Sequence, residues 1–97
     1  MKTIDFDDGF DVEEATQIIN AIMSKWAVFL INISGGCWKI FNYDRIIVYE
    51  INFFVDFNDL ETRIKLEDLR LNVIRHIESL RDDTIYVDNL ITQKLFD

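Results

Sequence analysis

Proline is absent from the 97-residue chain, which holds only three glycines, one cysteine and one histidine. With no stretch rich in Pro, Gly or Ser, and no internal repeat, the chain offers no linker or low-complexity segment, so residues 1–97 read as a single domain. A single cysteine, Cys37, excludes an internal disulfide and suits a reducing compartment, most simply the cytoplasm. A single histidine, His76, leaves no second imidazole for a metal or acid–base pair. The longest apolar run, IIVYEINFF, is broken by Glu50 and Asn52 and is far too short for a membrane span. The opening MKTIDFDD turns acidic where a signal peptide is apolar, so export is not expected.

Positive charge is also scarce. Ten Lys and Arg stand against eighteen Asp and Glu, for a net charge of -8. A nucleic-acid binder neutralises phosphates with cations, and this surface would repel them. Opposite fields raise encounter rates, so the charge favours a basic protein partner instead. What the chain does have is apolar material. Hydrophobic residues make up 49% of it, enough for a core without disulfide or metal staples, and disorder of the body is not expected.

The apolar periodicity sets the order of elements. KTIDF reads as a short edge strand. Asp11 then caps a helical pattern of Val12, Ala15, Ile18, Ile19, Ile22 and Trp26, with Glu13 and Glu14 at the positive end of the helix dipole. AVFLINIS is a continuous apolar run that reads as a central strand buried on both faces, ending in a Gly-Gly turn. CWKIFNY forms the next strand and IIVYEINFFVDF a long one, with Ile47, Tyr49, Ile51, Phe53 and Val55 on one face and the polar positions on the other. Asn58 or Asp59 caps a second helix, striped by Leu66, Leu69, Val73, Ile77 and Leu80, and TIYVDNLI closes the sheet. The expected fold is α+β, (β)αβββαβ, a mainly antiparallel sheet with two helices on one side.

Catalytic and metal chemistry find little support. In DFDDGFDVEE, placing Gly9 at the sixth position of a calcium loop puts Ile4 first, Phe6 third and Ala15 twelfth, so the ligand pattern fails. A solvated helix start or a recognition surface remains. Cys37 lacks the helix N-terminus or nearby cations that make a reactive thiolate, and no phosphate loop or nucleophile elbow occurs. Glu50 and Asp56, six apart on one strand face, would be separated by roughly 20 Å, too far for a paired-carboxylate hydrolase. No enzymatic activity, cofactor or metal is expected. The turn ISGGCWKIFNYD is more informative. Its glycines allow unusual backbone angles or close approach, and Trp38, Phe41 and Tyr43 stand beside Asn42 and Asp44, either as core or as an anchor surface for a basic partner.

Two segments resemble the small immunity proteins that neutralise anticodon-cleaving colicins. One is the strand ending in an I-x-GG-x-W turn, here Ile33, Gly35, Gly36 and Trp38. The other is LRLNVIRHIESLRDDTIYV, an amphipathic helix passing through an acidic turn into a final strand. The resemblance covers about a third of the chain. It implies a cytoplasmic binder that plugs the cleft of a basic ribonuclease, carboxylates standing in for RNA phosphates and aromatics for bases. Position by position it carries only Ser34 to Trp38. Charge and apparent exposure add Asp5, Asp7, Asp8, Asn42, Tyr43, Asp44, Glu50 and Asp56 as partner-binding candidates. A phage-encoded acidic inhibitor that mimics nucleic acid is the alternative with the same electrostatics, and a subunit of a larger assembly is a third class.

Overall fold

The computed structural model describes residues 1–25, 28–79, 86–89 and 93–94. In chain order the elements are β1 (Lys2–Asp7), α1 (Val12–Lys25), β2 (Val28–Ile33), β3 (Cys37–Asn42), β4 (Ile47–Phe54), α2 (Leu60–Ser79), β5 (Tyr86–Asn89) and β6 (Gln93–Lys94). They form one sheet in the order β1-β4-β3-β2-β5-β6. The expected α+β order holds, including the leading edge strand, except that the segment expected to close the sheet is followed by a further short edge strand, β6, paired with β5. β2 with β3, β3 with β4 and β5 with β6 are antiparallel, whereas β1 with β4 and β2 with β5 are parallel.

The parallel strands dictate where the helices go. A chain that must return to start another strand in the same direction needs a long crossover, and a helix supplies it. Thus α1 carries the chain from β1 past β4 and β3 to β2, and α2 carries it from β4 past β3 and β2 to β5. The two helices pack against each other and share a core with one face of the sheet. Ala15, Ile19, Ile22 and Met23 of α1 and Leu69, Val73, Ile74 and Ile77 of α2 meet Ile31, Ile33, Trp38, Ile40, Ile51 and Phe53 of the strands.

Each helix starts where a carboxylate satisfies its free amides. The Glu14 N–H donates to Asp11 Oδ1 at 3.0 Å. The Thr62 N–H and hydroxyl both donate to Asp59 Oδ2, at 3.1 and 3.0 Å. Asp59 is therefore the cap of the second helix, and residues 60–65 belong to it. Between the helices Asn72 Nδ2 donates to Thr16 Oγ1 at 3.3 Å. Asn20 Oδ1 and His76 Nε2 are buried without a hydrogen-bond partner among the described residues. Trp26 and Leu80, expected to extend the two helical stripes, lie outside the described residues.

Two expectations need correction. The apolar run of β2 predicts burial on both faces, yet among its described side chains Ile31 and Ile33 are buried, while Leu30 and Asn32 on the other face are half-covered. Both crossovers run on the same side, so no described helix covers the second face. The strand IIVYEINFFVDF also ends early, at Phe54. Asp56 turns the chain instead: its Oδ1 accepts from the Asn58 N–H at 2.9 Å, and its own N–H donates to Asp8 Oδ1 at 2.9 Å. Asp56 therefore does not share a strand face with Glu50.

The aromatic residues concentrate under the C-terminal ends of β1 and β4. Phe53 packs against Phe6, Phe10 and Trp38 with ring centroids 5.5, 5.7 and 5.3 Å apart. Its neighbour Phe54 points to the uncovered face and is 65% exposed. Truncation separates the two roles: Phe53→Ala is expected to lower unfolding free energy by about 3–5 kcal/mol, and Phe54→Ala to change it by less than about 0.5 kcal/mol. Urea denaturation of the two variants measures the difference.

Candidate protein-binding site

Since β1, β2 and β4 run parallel to one another, their C-terminal ends lie at one end of the sheet. That end carries the β1–α1 loop, the β2–β3 turn, the β4–α2 loop and the first turns of both helices. Asp7, Asp8, Ser34, Gly35, Gly36 and Asp56, separated in sequence, are brought together there. Asp8 is the tie. Besides receiving the Asp56 N–H, it offers its carbonyl to Lys65 Nζ of α2 at 3.1 Å, and Lys65 lies 4.2 Å above the Phe10 ring. Asp7 Oδ1 accepts from the Gly9 N–H at 3.0 Å, closing the turn. Asp8, Asp56, Asp59, Glu61, Thr62 and Lys65 line a cleft of about 280 Å³.

Asp5 and Glu50 project from β1 and β4 onto the uncovered sheet face. Cross-strand register sets them in rows: Asp5, Asn52 and Cys37 in one, Thr3, Glu50 and Lys39 in the next. Asn52 Nδ2 donates to Asp5 Oδ1 at 3.2 Å. The Cys37 thiol donates to Glu50 Oε1 at 3.2 Å. This face therefore adjoins the acidic end and extends it across two strands.

The remaining candidates fall elsewhere. Asn42, Tyr43 and Asp44 form the β3–β4 turn at the opposite end of the sheet. Asn42 has a structural task there, its Oδ1 accepting from the Asp44 and Ile46 N–H groups at 2.9 and 3.1 Å. Tyr43 is exposed. Trp38 is not the surface anchor that the turn suggested: at 2% exposure it is core, because its position in β3 faces the helices. The turn of residues 78–88, a third acidic patch in the sequence, lies largely outside the described residues. Among the described residues no group of three or more His, Cys, Asp or Glu side chains could hold a metal ion. No helix among them is long and apolar enough to cross a membrane.

One surface escaped the sequence reading. Leu60 and Ile64, four apart on the outer side of α2, are 68% and 53% exposed, and Phe57 before them is 42% exposed. The signal was present as apolar residues lying off the buried stripe of a helix.

Cys37 is the one thiol, and its surroundings favour the protonated form. Burial pushes its pKa up, and the hydrogen bond to Glu50 and the charge of that carboxylate push it further, with Lys39 acting weakly the other way. Alkylation of Cys37 by iodoacetamide at mildly alkaline pH is expected to be slower than that of a free thiol. Glu50→Gln should move the rate–pH midpoint down and speed the reaction, and an unchanged midpoint would show that Glu50 has no hold on the thiol. Compared with family models, curated proteins and solved structures, the chain matches none, so no relative lends this arrangement a role.

Proposed function

We propose that this protein is an immunity-type inhibitor, which binds a basic protein toxin, a ribonuclease by preference, and neutralises it by covering its substrate cleft. The supporting observation is the gathering of Asp5, Asp7, Asp8, Glu50, Asp56, Asp59 and Glu61 on one end of the sheet and its adjoining open face, with Lys39, Arg63 and Lys65 among the described cations nearby. In that reading the carboxylates occupy the positions that substrate phosphates would take on the toxin. Opposite fields draw the partners together, and like-charged nucleic acid is turned away. The I-x-GG-x-W likeness to colicin immunity proteins points the same way, through Ser34 to Gly36 at the same end of the molecule.

The inhibitor needs no bond-making chemistry of its own. Its carboxylates are held by main-chain N–H donors and by one another's loops, so the acidic shape exists before the partner arrives and little ordering entropy is lost on binding.

Co-expression with the toxin encoded beside this gene should restore growth. Loss of rescue by the double variant Asp5→Lys, Glu50→Lys, with rescue retained by Asp44→Lys at the far end, locates the interface. In binding kinetics the double variant is expected to slow association by about tenfold or more at low salt, an effect that shrinks as salt rises. A toxin that kills despite the wild-type protein, or a measured affinity of this protein for RNA, would overturn the reading.

A further inference from the structure

The exposed apolar residues of α2 border a groove of about 480 Å³ beside the β2–β3 turn. Ile33 and Trp38 come to it from the strands, Phe57 from the β4–α2 loop, and Leu60, Ile64 and Leu66 from α2. The glycine turn shapes one wall. Gly35 has φ +47°, a conformation that side chains disfavour, and a Cβ on Gly36 would lie 3.1 Å from Phe57 Cζ. The turn thus lets Phe57 lie close against it. The volume is ample for one or two large apolar side chains.

The groove differs electrically from its neighbourhood. Helix α2 carries four cations (Arg63, Lys65, Arg70, Arg75) against four carboxylates (Glu61, Glu67, Asp68, Glu78). The other six cations and fourteen carboxylates account for the whole net charge of -8. Around the helix the charges are sorted. Arg63, Glu67 and Arg70 line the groove, two cations against one carboxylate, while Glu61 and Asp68 lie on the far side of the Leu60–Ile64 ridge. Arg70 is engaged, its guanidinium donating from both Nε and Nη2 to the Glu67 carboxylate, which holds the pKa of that carboxyl below its ordinary value. Arg63 is exposed and forms no ion pair among the described residues.

A second copy of the chain fits poorly. Pairing two α2 helices along Leu60, Ile64, Glu67 and Leu71 in the antiparallel sense sets Glu61 against Asp68 and Arg63 against Arg70. The parallel sense sets Glu67 against Glu67. Each arrangement brings like charges together in addition to the repulsion between two acidic molecules.

We infer that the groove is a docking site for a segment of a partner protein that inserts an apolar side chain between Phe57 and Ile64 and brings a carboxylate to Arg63. This is a contact of the opposite electrostatic sense to the acidic end, and it stands or falls independently of the inhibitor reading.

The test uses the full-length, isotope-labelled protein and three synthetic peptides of equal length. One has Leu and Phe anchors flanked by Asp and Glu, one has the same anchors flanked by Lys, and one is acidic with the anchors replaced by Ala. Titration followed by amide chemical shifts should show the first peptide perturbing residues 33–38 and 57–70. Its affinity should exceed that of each of the other two by about tenfold or more. Arg63→Glu should remove the preference for the acidic flank, and Ile64→Asp should abolish binding. Both positions are exposed, and a retained amide spectrum confirms that each variant folds. Binding of none of the peptides, equal or tighter binding of the Lys-flanked one, or shifts confined to other surfaces would overturn the inference. So would sedimentation of the free protein as a dimer that Ile64→Asp returns to monomer, since a second copy would then be the occupant.

Discussion

Phe53 stands at the centre of what this fold presents to the outside. Its ring touches Phe6 of β1, Phe10 of the β1–α1 loop and Trp38 of β3, so one side chain joins the edge strand, a loop and the middle of the sheet. Both surfaces of interest rest on this cluster. Above Phe10 sits Lys65, which holds the Asp8 carbonyl and with it the acidic loops. Beside Trp38 lies the groove bounded by Phe57 and α2. A loop of carboxylates on a soft base would spread apart by mutual repulsion. A close-packed aromatic base resists that displacement, because separating the rings exposes apolar area to water.

The acidic end carries a tension that its local structure relieves. Asp11 and Asp59 cap helix N-termini, where the dipole and free amides favour negative charge. Asp7, Asp8 and Asp56 each accept a main-chain N–H within the loops. The carboxylates that form the proposed binding surface therefore also fold it. Replacing one of them alters geometry as well as charge, except at positions such as Asp5 and Glu50, which lie on the open strand face.

Helix α2 separates the two electrical characters. One flank of its first turns borders the acidic cleft through Glu61 and Lys65, and the other borders the apolar groove through Arg63 and the paired Glu67 and Arg70. Apolar residues on both its buried and outer sides give this helix little amphipathic contrast. The sheet and α1 cover its buried side, and the groove lies along the exposed Leu60 and Ile64.

The order of strands and helices, both helix caps and the uneven faces of β4 were legible from residues near one another in the chain. Periodicity and capping are local: Asp11 and Glu14, or Asp59 and Thr62, are neighbours whatever the tertiary structure does. The amino-acid sequence by itself also determined the surplus of carboxylates and the lack of a second histidine or cysteine. Only the tertiary structure decided that Trp38 is core while Leu60 and Ile64 are surface. It also decided that β2 has one half-covered face, and that Asp8 meets Asp56 across 48 positions of sequence. These outcomes depend on which strands pair in parallel and so on which side both crossovers pass. That choice is settled by long-range burial, for which the same local pattern of apolar residues has no separate signal.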